Sequence, residues 1–381
     1  MDSPTTAPIG GKDYPTTWVQ FLDWFHSEQA CRDYLEKLRW VDGLICPKCG
    51  VISKVGRRSR GRLICPACRH QATVTAGTIF DKTRTELRVW FAAIWYITNQ
   101  KHGVSALGLQ RVLGLGSYET AWTMLHRLRR AMVRPDRELL HGEVEVDETY
   151  LALTDRIDPI SATGRKSNTT KVLVAIAVEM LQPKGFGRIR VQRIDRGDHK
   201  NLMPFIKTSI RPGSLIHSDG SPAYRQLKEN GYEHRQTVHL GSATPAHESM
   251  AGVHRVASLL QRWMMGTHHG AVQPGQLDYY LDEYVFRFNR RKSKSRGLQF
   301  YRLLQQAVVT KPVPCLYPAL WISLLSAGSP FTPKFIATYA HSTGASGKKK
   351  ASSVAALSLS PAWLGLMYSG FISAVQQNRP S

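Results

Sequence analysis

Acidic residues are scarce in this sequence, and the scarcity is uneven along the chain. The 381 residues include 28 Asp plus Glu against 51 Lys plus Arg, a formal net charge of +23. Residues 43–80 contain no acidic residue. Such an excess predicts a polyanionic partner, nucleic acid before a membrane surface. A wholly disordered chain is excluded, because 42% of the residues are apolar and can bury a core.

The start of the sequence lacks a basic stretch followed by an apolar one, so nothing marks it for secretion. We therefore expect a cytoplasmic protein. Residues 351–378 carry no charge, but serines and Pro361 interrupt this run, which argues against a membrane span. We expect no membrane partner and a partly disordered, low-complexity tail over residues 308–381, to which the sequence gives no role.

Only six cysteines are present, and four of them form two CxxC pairs separated by fifteen residues. In a reducing compartment this pattern favours metal binding over disulfides. The intervening stretch is long enough for a hairpin that brings the pairs together, which predicts a structural zinc ribbon; a redox pair or an iron site is the alternative. Cys31 and Cys315 are expected to be small buried hydrophobes. The predicted ligands are Cys46, Cys49, Cys65 and Cys68.

The acid-free segment around these cysteines is strongly basic. A run of charge is usually only a solvated surface, but a run of one sign inside a zinc ribbon favours contact with phosphates. The candidates for this contact are Arg57, Arg58 and Arg60.

Two helical regions are indicated by apolar periodicity. An amphipathic helix is expected from Ser27, with Cys31 on its apolar face. Farther along, a helix ends at Gly114 and a longer one begins at Ser117, which is the layout of a helix-turn-helix or of a plain helical hairpin. The second helix is predicted to present basic side chains on its polar side, namely Arg127, Arg129 and Arg130.

The middle of the chain changes to alternating and apolar patterns typical of strands. Residues 143–150 place Glu143, Glu145 and Asp147 on one side and the valines on the other. Asp219 follows a short strand at a glycine turn. The element order β, β, β, α, β, α, β, α predicts an α/β, ribonuclease H-like fold in which Asp147 and Asp219 are adjacent. Carboxylates that converge in this way can hold two Mg²⁺ ions for phosphoryl transfer.

Several ordered segments resemble one known family. They are Val146–Tyr150, His217–Gly220 with Tyr224, Ser258–Arg262 with Gly266–His269, and Tyr279–Arg291. These segments resemble the catalytic domain of bacterial and archaeal insertion-sequence DDE transposases, in the ISXO-type subgroup with an N-terminal zinc ribbon and helix-turn-helix. The resemblance covers residues 18–307. It implies that Asp147 and Asp219 are metal ligands and that one helical face carries the family's Glu283, Arg287 and Arg290.

The third metal ligand departs from the family pattern, which has Glu or Asn seven residues before Lys. Here His254 and Gln261 occupy these positions. Imidazole can ligate Mn²⁺, whereas Mg²⁺ prefers oxygen, so the site is less anionic. Glu248 is a second candidate, and the absence of a third ligand is the remaining alternative. Arg262 can replace the phosphate contact that Gln261 lacks.

These observations predict a transposase that binds terminal inverted repeats and target DNA, cleaves and transfers DNA strands, and acts near the nucleoid. The resemblance implies a homodimer or a larger synaptic oligomer. A catalytically impaired, transposase-derived DNA-binding protein and a ribonuclease H-like nuclease without strand transfer are the alternatives. The basic stretch after the last catalytic helix is expected to hold phosphates through Arg287, Arg290 and Arg291.

Five regions are predicted along the chain. They are a flexible leader (1–17), a zinc ribbon with a preceding helix (18–80), a helix-turn-helix region (81–138), a ribonuclease H-like transposase domain (139–307) and the tail (308–381).

Overall fold

A computed structural model describes residues 7–53, 56–58, 62–134, 137–154, 169–237 and 250–312. Arg60, Glu248, Cys315 and the predicted tail beyond residue 312 lie outside the described residues. The side chains of Arg57 and Arg58 are likewise not described.

Two short helices open the fold. Helix α1 (Trp18–Trp24) begins after Thr17, whose hydroxyl accepts from the Gln20 amide, and α2 (Glu28–Arg39) begins after Ser27, whose hydroxyl accepts from the Ala30 amide. These hydroxyls satisfy backbone donors that a helix start leaves open. The helix predicted from Ser27 is confirmed, and so is the burial of Cys31, which is fully shielded from solvent.

Short strands surround the CxxC pairs. Strand β1 (Leu44–Ile45) pairs with β2 (Ile52–Ser53), and β3 (Gly56–Arg58), β4 (Arg62–Ile64) and β5 (Gln71–Thr73) form an antiparallel sheet. The β3–β4 hairpin lies between the two cysteine pairs, as the sequence predicted.

Three helices follow the ribbon: α3 (Leu87–Asn99), α4 (Ala106–Leu113) and α5 (Tyr118–Ala131). Ser105 and Ser117 cap α4 and α5, and Gly114 ends α4 with a left-handed φ of 62° that glycine adopts without steric cost. The predicted pair of helices around the glycine turn is therefore present. One expectation for α5 is wrong: Arg129 is not on a solvent-exposed side but is 1% exposed, because α5 packs against a later helix.

A five-stranded sheet forms the second half of the fold. Its strands are β6 (Glu143–Thr154), β7 (Thr169–Met180), β8 (Phe186–Arg193), β9 (Leu215–Ser218) and β10 (Glu233–Gln236), in the order β10-β9-β6-β7-β8. Strands β9 and β10 run parallel to β6, whereas β7 is antiparallel to both of its neighbours. The fold is therefore mixed α/β.

The helices of this half are α6 (His199–Ser209), α7 (Ala251–His268), α8 (Leu277–Asn289) and α9 (Arg296–Ala307). The predicted order also placed a helix between the fourth and fifth strands. The structure has only a 3₁₀ turn there, Pro222–Tyr224, because β9 returns to the adjacent parallel strand over a short connection. Within the described ranges, no helix combines the length and apolarity needed to cross a membrane.

Three apolar cores hold these elements together. One core lies between the sheet and α7 and α8, and another lies between the opposite sheet face and α6. The third core, which we call the first core because it lies nearest the N-terminus in sequence, contains Leu63 of the ribbon, Leu109 of α4 and Leu304 of α9. Apolar packing therefore crosses the boundaries predicted at residues 80 and 138, because α9 returns to the N-terminal helices.

Residues 7–17 are part of this fold, which corrects the predicted flexible leader for that stretch. Tyr14 is 6% exposed, and its ring centroid lies 5.7 Å from that of Tyr301 in α9. The Tyr34 hydroxyl donates to the Asp13 carbonyl at 2.6 Å. A Cβ on Gly297 would collide with the Pro15 carbonyl, so a glycine is needed where the N-terminal segment crosses α9.

Candidate zinc centre and candidate active site

Each CxxC pair forms a tight turn with the same hydrogen bonds. The Gly50 amide donates to the Cys46 carbonyl at 2.9 Å, and the Arg69 amide donates to the Cys65 carbonyl at 3.0 Å. Gly50 and Arg69 both have a left-handed φ, of 71° and 58°. This turn curls the backbone so that both thiols of a pair point to the same side.

The two turns bring four thiols to one point. The four sulfur atoms of Cys46, Cys49, Cys65 and Cys68 all lie within 4.8 Å of one another. Cys46 and Cys68 are 3.5 Å apart and Cys49 and Cys65 are 3.6 Å apart. A tetrahedral zinc ion with Zn–S bonds of about 2.3 Å requires sulfur separations of about 3.8 Å. The donor set and the spacing therefore fit Zn²⁺, as predicted.

Asp147 lies in β6, and Asp219 directly follows the adjacent strand β9. Strands β6 and β9 are parallel, with Glu143 opposite Leu215 and Glu145 opposite His217. Asp147 lies two residues beyond Glu145 in β6, and Asp219 lies two residues beyond His217, directly after the end of β9. Both aspartates are half-buried. That the two carboxylates share one metal site stays a prediction; both lie close enough to Glu148 for their charges to affect its pKa.

Helix α7 lies along the face of β6 that carries Asp147. Glu145 is 3% exposed, and its Oε2 accepts from the Val253 amide at 2.9 Å, which anchors the start of α7. A Cβ on Gly252 would lie 2.8 Å from the same oxygen, so this approach needs a glycine. Asp147 is two residues beyond Glu145 and therefore faces the same side.

The predicted third ligand lies on this helix. His254 is half-buried and directly follows Val253, and Gln261 reaches β6, where its amide lies 3.4 Å from the Thr149 hydroxyl. The structure does not gather His254 with the two aspartates: among the described residues, only the four cysteines form a group of three or more potential ligands close enough to hold one ion. The alternative ligand, Glu248, lies outside the described residues.

A buried carboxylate on the opposite face of β6 was not anticipated from the sequence. The Tyr224 hydroxyl, fully buried, donates to Glu148 Oε1 at 2.8 Å. Burial raises the pKa of Glu148 to about 7, the hydrogen bond from Tyr224 opposes this, and the charges of Asp147 and Asp219 raise it further. Glu148 thus lies within electrostatic reach of both aspartates. The sequence did contain a signal for this residue: Glu148 alternates with Val144 and Val146, so its side chain is on the apolar face of the strand.

Glu283 is the centre of a buried ion network. It is fully buried, and its two oxygens accept from Arg129 Nε at 2.7 Å and from Arg287 Nη2 at 2.7 Å. Arg287 also donates to the Gln100 carbonyl at 2.7 Å, and the Arg129 guanidinium lies 3.9 Å from the centre of the Tyr280 ring. The network ties the C-terminal end of α3, and α5, to α8.

Comparison with known proteins identifies the two regions that hold these sites. Residues 139–289 match the ISXO2-like transposase domain, and residues 26–71 match the transposase zinc-ribbon domain. This chain is a member of the ISXO2-like transposase family. The predicted family and its N-terminal zinc ribbon are confirmed.

Individual relatives are more distant. An uncharacterized protein in transposable element ISH50 of Halobacterium salinarum is 26% identical over 276 residues, which cover 69% of this chain and 91% of that protein. The Mos1 strand transfer complex is 14% identical, with 57% of this chain and 76% of that chain covered and a TM-score of 0.24. The Mos1 paired-end complex with left transposon end is 13% identical, with 59% and 76% covered and a TM-score of 0.25.

The arginines predicted to bind DNA have different surroundings in this transposase. Arg127 Nη1 donates to the Ile79 and Asp81 carbonyls, both at 3.1 Å. The Arg290 guanidinium lies 3.9 Å from the centre of the Phe286 ring, and Arg291 donates to the Phe288 carbonyl at 2.8 Å. Arg130 is half-buried and Arg262 is exposed. Contact between DNA and these side chains stays a prediction.

A buried histidine next to the Glu283 network predicts a pH dependence of the transposase's stability. Burial and the nearby Arg129 charge lower the pKa of His126 to about 3, against an ordinary value of 6.5. Below pH 6.5 the unfolded chain therefore binds a proton that the folded chain does not bind, and the free energy of unfolding falls by up to about 1.4 kcal/mol per pH unit.

The test compares urea unfolding of the parent and His126→Gln between pH 7.5 and 4. The stability of the parent relative to the variant should decrease as the pH falls through about 6.5, the ordinary histidine pKa. Parallel stability curves for the two proteins would contradict the burial argument.

Proposed function

We propose that this protein is a transposase that binds the terminal inverted repeats of an insertion sequence and catalyses metal-dependent DNA strand cleavage and strand transfer. The observation that carries the proposal is that Asp147 lies in β6 and Asp219 directly follows β9, the parallel neighbour of β6, within a transposase domain. The strand order, with β6 central and β7 antiparallel, supports the predicted ribonuclease H-like layout.

The donor chemistry of the site fits a divalent cation. Asp147 and Asp219 would supply carboxylate oxygens, which suit Mg²⁺ or Mn²⁺, and His254 would supply an imidazole nitrogen, which suits Mn²⁺ better. Bound metal would lower the pKa of a water molecule and stabilise the charge on the leaving oxygen.

The protein's own residues would hold this site in place. Glu145 accepts a hydrogen bond from the Val253 amide and so fixes the start of α7 against β6. This contact would fix the position of the next residue, His254, along the strand that carries Asp147. Tyr224 fixes Glu148 by a hydrogen bond on the other face of β6. The basic ribbon and the α4–α5 pair, as a helix-turn-helix, would bind the element end. Phosphate contacts of this kind set the position of the DNA but do not read its sequence.

The proposal is tested by Mn²⁺-dependent nicking of a duplex that carries the element end. Asp219→Ala should abolish nicking, because the variant lacks one of the two carboxylates. Asp195→Ala is the matched control, since Asp195 is an exposed aspartate that also follows a strand of the sheet. If Asp219→Ala nicks as fast as the control, the assignment of the site is wrong.

Two alternatives give different outcomes in the same assay. A transposase-derived DNA-binding protein is favoured by His254, by Gln261 and by the absence of a compact ligand cluster among the described residues at this site. A gain of nicking in His254→Glu/Gln261→Lys would support this alternative, and a loss would support His254 as a working ligand. A nuclease without strand transfer would nick the duplex but would not join labelled ends to a plasmid.

A further inference from the structure

A cavity of about 320 Å³ lies at the outer edge of the sheet, away from Asp147 and Asp219. Its walls come from the chain before β6, from strand β8 and from the C-terminal half of α8. Asn289 of α8 covers the open edge of β8, because its Oδ1 accepts from the Ile189 amide at 2.7 Å and its Nδ2 donates to the Ile189 carbonyl at 3.2 Å. The charged side chains that line the cavity are Arg134, Arg137, Glu138, Arg188, Arg190, Asp282 and Arg290.

Positive charge exceeds negative charge in this cavity. Arg188 is paired with Glu179 at 2.7 Å and with Glu138 at 2.8 Å. The other four guanidinium groups have no carboxylate within 4.0 Å in the part of the chain that the structure describes. The two acids at the wall therefore leave several cations without a direct counterion.

Arg190 carries the strongest sign of a missing partner. It is 3% exposed, its Nη1 donates to the Ile189 carbonyl at 2.9 Å, and its Nη2 donates to the Glu138 carbonyl at 2.5 Å. Its Nε has no hydrogen-bond partner among the described residues. A buried charged donor without a partner is costly, and an anion in the cavity that Arg190 lines would compensate the charge of this guanidinium group.

Asp282, the acid of α8 that lines the cavity, compensates these arginines only in part. Burial raises the pKa of Asp282 to about 7, although the charges of Arg137 and Arg130 oppose the shift. A substantial fraction of Asp282 is therefore neutral near pH 7. Burial and the neighbouring Arg137 and Arg188 lower the pKa of Arg190 to about 10, so this guanidinium keeps its charge.

We propose that this cavity binds a backbone phosphate of the transposon DNA, as an anchoring site separate from the aspartates that cut it. This inference depends on the proposed function as a DNA transposase. Guanidinium groups present paired donors that match phosphate oxygens, and Arg134 is exposed beside the buried Arg190. Strand β8 lies two strands from β6, about 10 Å across the sheet.

The test measures DNA binding by the full, zinc-loaded chain as a function of salt. The probe is a duplex that carries the element end, followed by fluorescence anisotropy. Arg134→Gln/Arg137→Gln should reduce the slope of log K against log salt by about 0.9 for each phosphate that the variant no longer neutralises, and should weaken binding about tenfold near 0.1 M salt. Arg134→Lys/Arg137→Lys keeps the charge and should keep most of the slope.

The matched control is Lys207→Gln/Arg211→Gln, which removes the same charge from two exposed positions elsewhere. An unchanged slope in the cavity variant, or an equal decrease in the control, would overturn the proposal. If the parent protein does not bind the duplex, the cavity proposal and the proposed function both fail. If the cavity variant binds like the parent while Asp219→Ala stops nicking, only the cavity proposal fails.

Discussion

Replacing Cys65 with serine, or removing zinc with a chelator, is expected to unfold the ribbon and expose apolar surface of the first core. Cys65 is fully buried, and its Sγ lies 3.6 Å from that of Cys49. The strands around the site contain only two or three residues each, so they cannot hold the thiols together without the ion. Structural zinc contributes apparent binding energies of about 10–16 kcal/mol at pH 7, which is more than the whole stability of most domains.

The measurement pairs zinc release, followed with a chromophoric chelator, with thermal unfolding followed by circular dichroism. Cys31→Ala is the matched control, because Cys31 is equally buried in α2 but lies outside the cysteine cluster. Burial raises its pKa to about 12, so it stays a neutral thiol. The control should keep its zinc and lose only the packing of one sulfur atom. Retention of a full zinc equivalent by Cys65→Ser would contradict the four-cysteine site.

Short-range patterns predicted local structure well. The two CxxC pairs predicted a site whose sulfur atoms meet within 4.8 Å, because each pair needs only one turn to bring its thiols together. Serines predicted helix starts, since Ser27 and Ser117 each accept from an amide three residues later. In these cases the atoms that interact are close in sequence.

Contacts between distant residues could not be predicted in this way. Arg129 looked like a surface arginine from its helical position, but it is buried because Glu283, 154 residues away, faces it. Glu148 and Tyr224 are separated by 76 residues, and their contact exists only because β6 and β9 are neighbours. The alternation of β6 showed that Glu148 is on the apolar side but did not show which hydroxyl would satisfy it.

The roles of the arginines could not be predicted either, because their partners are also distant in the sequence. A net charge of +23 predicted DNA contact for many arginines. Some of them also have partners within the fold: Arg127 binds two carbonyls, and Arg287 binds Glu283 and the Gln100 carbonyl. An arginine's position on a helix does not show whether its guanidinium group is engaged by groups far away in the sequence, as those of Arg127 and Arg287 are.

Glu283→Gln is expected to destabilise the protein by about 3–5 kcal/mol, because loss of one partner leaves buried charges uncompensated. Burial alone would raise the pKa of Glu283, but the guanidinium groups of Arg287 and Arg129 hold it well below its usual range. Glutamine keeps the shape of the side chain but cannot neutralise two buried cations. The variant should also separate α5 from α8 more easily, because it loses the ion pair between Arg129 of α5 and Glu283 of α8.

The measurement is the urea midpoint of the zinc-loaded chain at pH 7, with the slope of the transition as a check on cooperativity. Asp278→Asn is the control, because Asp278 lies in the same helix, is 56% exposed and is 4.0 Å from Arg193. Its removal should cost no more than about 1 kcal/mol. An equal destabilisation of both variants would mean that the buried network does not hold the helices together.

The pH dependence of the free energy of unfolding gives an independent test of the same network. The folded-state pKa of Glu283 is depressed, so its stabilisation is complete above the ordinary pKa of 4.5 and is lost as the pH falls below that value. The stability difference between parent and Glu283→Gln should therefore be constant from pH 7 to 5 and should shrink at lower pH. A difference that grows on acidification would mean that Glu283 is protonated in the folded protein, and the two arginines would then need another counterion.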